Sequence, residues 1–299
     1  MFALTISIVF AVAFGHVMRH AQERKRSMVW VAAVSYPVAC ALSIAAWAGV
    51  FRSVIGWQEL VFGGLGGLAW FAAYLLMDTA IRLAGLSITQ CVGWLGVVAP
   101  MFAAAVFFGE TPTTSQYIGM ALMALAMALL TVGKTSNVTS KSKWRVPVLL
   151  GLFLCEGAIN MSVKWFEVSL KSSGLTQAQV DGRCSGLLIF LFGVAGLAMC
   201  ILAISRSDKL SRGALLHGLS LGVVAFAANY AFVIAVNRLP AALMFPSFWA
   251  GVLLLASTSA VIFWKERYTK RAWTGMAMAL LTMIFVSVDV EAWLRGLFP

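Results

Sequence analysis

Apolar runs of roughly 20 residues follow one another almost end to end along this chain, separated by short polar breaks. A run of that length crosses a ~30 Å hydrocarbon core as a helix rising 1.5 Å per residue. The pattern predicts helices over residues 2–18, 28–50, 59–83, 86–108, 115–133, 146–170, 180–205, 213–237, 241–264 and 272–290. The first run lacks a basic segment before it and a small-x-small cleavage site after it. It therefore reads as a retained helix and not a signal peptide. The one polar stretch long enough to act as a linker, "GKTSNVTSKSKWRVP" at 133–147, divides the runs into two sets of five.

The two sets echo one another. "FFGETPTTSQYIGMA" from Phe107 aligns at an offset of 156 with "FWKERYTKRAWTGMA" from Phe263, pairing Glu110 with Glu266 and Gly-Met-Ala 119–121 with 275–277. Carried backwards without gaps, that register places Gly66 on Gly222, Tyr74 on Tyr230 and Arg82 on Arg238. Shared apolar composition does not align Tyr, Arg and Glu, so the register reads as an internal duplication. Five is odd, so the second copy enters the membrane from the opposite side. Cytoplasmic loops favour Lys and Arg, which accounts for the acidic "GETPTTSQ" in one copy facing the basic "KERYTKR" in the other. The predicted fold is an all-α polytopic membrane protein of ten transmembrane helices, built as two inverted five-helix repeats around a central cavity. Its segments are a first repeat at 1–133, a connecting loop at 134–145, a second repeat at 146–290 and a short tail at 291–299.

Composition agrees with this. Hydrophobic residues make up 61% of the 299 and charged residues 11%, with mean hydropathy +0.91, against about 25% charged in a soluble domain. The net charge of +11 lies in short interhelical loops and does not form a nucleic-acid patch. Loops 19–27, 134–145, 206–212 and 265–271 hold 15 of the 22 Lys and Arg residues. All four follow odd-numbered helices, which puts them in the cytoplasm and both termini outside. The five cysteines fall inside apolar runs without CxxC spacing and read as small apolar side chains.

The segment "RLAGLSITQCVGWLGVVAPMFAAAVFFGE", its echo "RLPAALMFPSFWAGVLLLASTSAVIFWKE" and "YIGMALMALAMALLTV" resemble the drug/metabolite transporter superfamily, in its EamA-like ten-helix branch. That resemblance implies a secondary transporter or exporter of small metabolites in the cell's inner (cytoplasmic) membrane. It also implies termini inside, against the charge count. The echo departs from the first copy at Ala256 in place of Pro100 and Lys265 in place of Gly109.

An ionisable group inside a bilayer costs a few kcal/mol, about 2.5–3.5 on insertion scales, and so needs a reason. Glu156, Asn160 and Lys164 follow one another at steps of four in the sixth helix and share a face. The functional reading is a substrate-binding stripe with Glu156 as the proton-coupling group. The structural reading is an internal network in which Glu156 bonds Asn160 and Lys164 pairs with Glu167. In the third helix Trp70 and Tyr74 offer flat faces to an aromatic or cationic solute, or else pack. Tyr230 echoes Tyr74, with Asn229 beside it, and both are candidate substrate contacts at the repeat interface. Trp94 and Trp249 are candidate gates. Gly93, Gly96, Pro100, Pro246 and Gly251 allow close packing or bending of the fourth and ninth helices. His16 and His20 have metal-ligand spacing without a third ligand, so no metal site is expected.

The leading expectation is therefore a secondary active exporter of amino acids or similar metabolites. A nucleotide-sugar or sugar-phosphate exchanger would need basic groups in the cavity, with Lys164 and Arg183 as candidates. A non-transporting membrane scaffold or sensor subunit is the third reading. No catalytic motif appears, so no enzyme is expected. The expected partners are a small-molecule substrate, the lipid bilayer and, through Glu156, protons. No cofactor or nucleic acid is expected, and the functional unit is read as a monomer.

Overall fold

The structure, a computed structural model, describes residues 1–51, 54–84, 96, 98–109, 112–132, 143–171, 173–206, 209–264 and 270–287. In chain order the α-helices are α1 (Phe2–Glu23), α2 (Met28–Ala46), α3 (Gly64–Ala84), α4 (Val98–Phe107), α5 (Thr114–Val132), α6 (Arg145–Lys171), α7 (Gln177–Ser205), α8 (Arg212–Arg238), α9 (Ala241–Trp264) and α10 (Lys270–Ser287). α2 continues into a π-helical turn at Trp47–Phe51, and another at Glu59–Gly63 leads into α3. Seven of the helices among the described residues are long and apolar enough to cross a membrane. The chain is an all-α, multi-pass membrane protein. In lipid only a helix satisfies its own backbone groups, so the apolar runs had one structure open to them.

Helix ends depart from expectation where polar residues extend a turn. α1 runs on through His16–Glu23, past the apolar run. α7 begins at Gln177 because Thr176 and Gln179 form a reciprocal capping box. Residues 86–95 and 97 of the expected fourth helix, the loop residues 133–142 and the tail 291–299 lie outside the described residues.

The described residues gather into two compact units, each drawing helices from both halves of the sequence. One comprises Met1–Phe71 with Met161–Arg238, the other Ala72–Asn160 with Leu239–Pro299.

In the first unit α2 lies antiparallel to α7. Cys200 donates its thiol to the Ala33 carbonyl at 3.3 Å and Cys40 donates to the Ile189 carbonyl at 3.4 Å. Pro37, inside α2, has no N–H for the carbonyl four residues back, and that carbonyl is Ala33. The Cys200 thiol takes the vacated acceptor. Between the two helices Tyr36 stacks on Phe192 at 6.4 Å, and Trp70 of α3 closes the group at 5.8 Å from Phe192 and 6.3 Å from Tyr36.

One helix contact occurs twice in this unit. Gly218 and Gly222 of α8 lie on α2. A Cβ added at Gly218 would meet the Val31 carbonyl oxygen at 3.0 Å and Val34 Cβ at 2.5 Å; at Gly222, the Ser35 oxygen at 2.6 Å and Val38 Cβ at 2.7 Å. Gly63 and Gly67 lie on α7 in the same way. A Cβ at Gly63 would meet the Leu187 oxygen at 2.6 Å and Phe190 Cβ at 2.8 Å; at Gly67, the Leu191 oxygen and Val194 Cβ. The surfaces touched, Val31, Val34, Ser35 and Val38 against Leu187, Phe190, Leu191 and Val194, correspond one for one at offset 156. The glycines correspond at 155, which corrects the Gly66–Gly222 alignment. The stretch from Val31 to Gly63 is one residue longer than that from Leu187 to Gly218, and the π-helical turn at Glu59–Gly63 accommodates an extra residue. Lipid tails are as apolar as Leu, so close approach at small residues, and not water, holds such helices together.

In the second unit α5 packs along α10, and α9 packs on α4, α5 and α10. The buried stripe of α5 is Gly119, Met123 and Ala126, and that of α10 is Gly275, Ala279 and Thr282. These positions also correspond at offset 156. The second half of α3 packs on the first half of α6 through Ala73, Ala80 and Leu152, with Leu76, Met77, Val148 and Ile159 around them.

Candidate functional site

α6 carries a run of polar residues along a membrane-spanning helix. Asn160 is buried at 6% exposure, and its Nδ2 donates to the main-chain oxygen of Glu156 at 2.8 Å. That bond turns the amide back along its own helix. The Glu156–Asn160 bond expected from the spacing is thus present, made to the main chain of Glu156. Gly96 sits directly against this turn, since a Cβ there would lie 2.8 Å from both Glu156 Cβ and the Gly157 nitrogen. Gly96 itself thus rests on α6 beside the half-buried Glu156. Pro100 follows in the first turn of α4, where a missing N–H costs no helical bond. Gly93 and Trp94 lie outside the described residues.

Lys164, one turn beyond Asn160, is fully buried and forms an ion pair with Glu167 at 2.7 Å. Glu167 also pairs with the exposed Lys171. The pairing that spacing offered as the structural reading of Lys164 is therefore present. Each charge has its counter-ion inside the first unit, where an isolated buried ammonium would be prohibitive.

The same unit holds a second charged cluster. Glu59 is fully buried in the π-helical turn before α3. Arg183 of α7 grips it with Nε on one carboxylate oxygen and Nη2 on the other at 2.7 Å, while Nη2 also donates to Gln58 at 2.8 Å. The Gly56 N–H donates to the same carboxylate at 2.9 Å. This two-point geometry is what a planar guanidinium does best. Beside it Arg238 pairs with Asp181 at 2.6 Å, and Asn237 donates to the thiol of the buried Cys184 at 3.4 Å. Arg183, expected as a basic group of the cavity, is thus committed to Glu59, which no motif in the sequence singles out. The available signal was an acid and a base at the starts of two helices that begin on the same side.

The aromatic candidates separate. Trp70 belongs to the Tyr36–Phe192 group in the first unit, which gives it a packing role there. Tyr230 stacks on Phe226 at 5.5 Å and lies beside Ser185, also in the first unit. Tyr74 is half-buried in the second unit, so each tyrosine belongs to a different body. Asn229 donates to the Ala225 carbonyl of its own helix at 2.9 Å. Trp249 is half-buried edge-on to Phe248 at 5.1 Å. Pro246 lies inside α9 and is buried, as is Gly251. His20 stacks on His217 at 5.3 Å, and among the described residues no group of three or more His, Cys, Asp or Glu side chains could hold a metal.

No protein-family model matches the chain. It is 24% identical over 217 residues to an uncharacterized protein of Haemophilus influenzae, spanning 72% of this chain and 70% of that protein. It is also similar to a solved structure described only as the crystal structure of a protein. The TM-score is 0.73 at 17% identity, over 96% of this chain and 99% of the other. That likeness establishes a shared fold over nearly the whole chain and carries no function with it.

Proposed function

We propose that the chain is a secondary active transporter of the inner membrane, exporting small zwitterionic metabolites such as amino acids. In this reading ten transmembrane helices form two inverted five-helix repeats around a central cavity, and the repeats alternate access to it. The observation that carries it is the duplicated glycine contact, with α8 on α2 repeated as α3 on α7. Two antiparallel helices, α2 and α7, related by offset 156 and each receiving the equivalent partner, are what a twofold axis in the membrane plane produces. The buried stripes of α5 and α10 correspond at the same sequence offset. Inverted repeats are the usual frame of alternating access, with substrate held near the midplane. The resemblance to the drug/metabolite transporters points the same way.

Glu156, on a membrane-spanning helix and held against Gly96, is the proposed coupling carboxylate. The nucleotide-sugar or sugar-phosphate alternative is weakened because Lys164 and Arg183 are already neutralised by Glu167 and Glu59.

The test is counterflow of an amino-acid and metabolite panel in proteoliposomes, with wild type beside Glu156→Gln. The proposal expects one solute class to exchange in both, and proton-driven accumulation to be lost in the variant. Equal accumulation in both would remove Glu156 from the mechanism. A correctly inserted wild type that moves nothing would favour the scaffold or sensor reading.

A further inference from the structure

Two helix starts meet at one end of the first unit. α1 closes at Lys25, which takes a left-handed conformation at φ 51°, while the Lys25 and Arg26 N–H groups bond back to Gln22 and Ala21. Ser27 then caps α2. Across from it Ser211 caps α8, its hydroxyl accepting from the Ala214 N–H at 3.1 Å. Between them lies an open pocket of about 410 Å³ lined by Lys25, Arg26, Ser27, Lys209 and Ser211.

The electrostatics of this pocket are one-sided. A helix N-terminus carries about half a positive charge, and natural helices place acids there. Neither α2 nor α8 has an acidic residue in its first turn. They have bases instead: Lys25 and Arg26 just before α2, Lys209 just before α8, and Arg212 as the first residue of α8. The nearby Glu23 is engaged by Arg19 at 3.4 Å, and Asp208 lies outside the described residues. Arg26 is fixed in place. Its guanidinium lies across Gly213, where a Cβ would fall 2.5 Å from Nε and 2.7 Å from Nη2. That Nε is buried and has no hydrogen-bond partner. Cations stacked on two positive helix ends repel one another, and the arrangement becomes favourable once an anion fills the space.

We propose that this pocket binds a phosphate group at the membrane surface. Three cationic residues and two serines line it, a set suited to tetrahedral anionic oxygens, with the positive ends of α2 and α8 adjacent. The pocket lies at the ends of membrane-spanning helices, the level of lipid headgroups. Its occupant is either an anionic phospholipid headgroup or a soluble phosphate ester. The site is separate from the stripe on α6 and stands whether or not the chain transports anything.

The experiment uses the full chain purified in a maltoside detergent. Phosphatidylglycerol or phosphatidylcholine is added and retained lipid is counted by native mass spectrometry. Inorganic phosphate is titrated calorimetrically at constant ionic strength. Wild type should retain one phosphatidylglycerol in preference to phosphatidylcholine, or bind phosphate saturably. The first result assigns the lipid source and the second the soluble one. Arg26→Gln with Lys209→Gln should weaken whichever probe binds by on the order of tenfold or more. Lys25→Gln with Lys209→Gln, which leaves Arg26 seated on Gly213, should do likewise and guards against a folding defect. Lys270→Gln with Arg271→Gln removes the same charge from the start of α10 and should leave binding unchanged. Failure of both probes to bind saturably, or an equal loss in the α10 variant, would overturn the proposal and leave these bases as topology signals alone.

Discussion

Neighbouring glycines in one helix should respond to alanine with opposite signs. Gly63 ends the π-helical turn and Gly64 and Gly67 follow in α3, yet of these three only Gly63 and Gly67 touch α7. A Cβ at Gly64 meets nothing within 4 Å. Gly64→Ala therefore gains only helix propensity, about 0.5–1 kcal/mol. At Gly63 the new methyl would stand 2.6 Å from the Leu187 carbonyl oxygen, so the helices must part by the better part of an ångström. Overpacking of this kind costs roughly 1–3 kcal/mol, and no water-driven term in lipid presses the helices back together. Gly218→Ala and Gly222→Ala face the equivalent contacts on α2 and should lose similar amounts. Thermal unfolding in detergent reads the difference at about 2–4 °C per kcal/mol. Gly64→Ala should hold or raise Tm, while Gly63→Ala, Gly67→Ala, Gly218→Ala and Gly222→Ala each lower it. If Gly64→Ala falls with its neighbours, the close approach is not what matters. If only one of the two pairs is sensitive, the contact is not duplicated and the argument for a twofold axis goes with it.

Further outcomes follow from the charged groups and the thiols. Glu59→Gln or Arg183→Met alone strands the other charge at a buried site and should cost about 3–5 kcal/mol, whereas the double variant should recover much of that loss; a double-mutant cycle on Tm measures the coupling. Gly96→Val drives a side chain into Glu156 and Gly157, so on the solute found by counterflow its exchange rate should fall roughly tenfold or more with insertion intact. Cys184, at 0% exposure and held by Asn237, should resist maleimide in the folded protein and label only after denaturation in dodecyl sulfate.

The helices were legible because lipid leaves an apolar run no other way to satisfy its backbone. The repeated Gly-Met-Ala was legible too, and Gly119 and Gly275 are both buried where α5 and α10 pack. Spacing on α6 supplied the Lys164–Glu167 pair, because i,i+3 neighbours on a helix can only be adjacent. The Glu59–Arg183 pair could not be read this way. The two residues are 124 apart in sequence, and each taken alone is an ordinary charge at a helix start. The one-residue shift between Gly67 and Gly222 was hidden for another reason. A π-helical turn absorbs an extra residue without any mark in the hydropathy pattern, and Gly66 stood ready to give a false match. Gly96 on Glu156 was unreadable because hydropathy says nothing of which helix faces which.

The interleaving of the first unit also bears on how the protein is made. Its early helices, α1, α2 and the start of α3, find their main helix partners in α6, α7 and α8, the last of which ends at Arg238. At translation rates of about 5–20 residues per second, the interval between completing Phe71 and completing Arg238 is on the order of ten to thirty seconds. Throughout it the face of α2 around Val31, Ser35 and Val38 meets lipid or an insertion factor in place of Gly218 and Gly222, and Glu59 waits in the membrane without Arg183. Biogenesis, and not the finished fold, is then where a lost glycine or a stranded carboxylate is first felt, as chains that stall half-assembled and are cleared before they can be assayed.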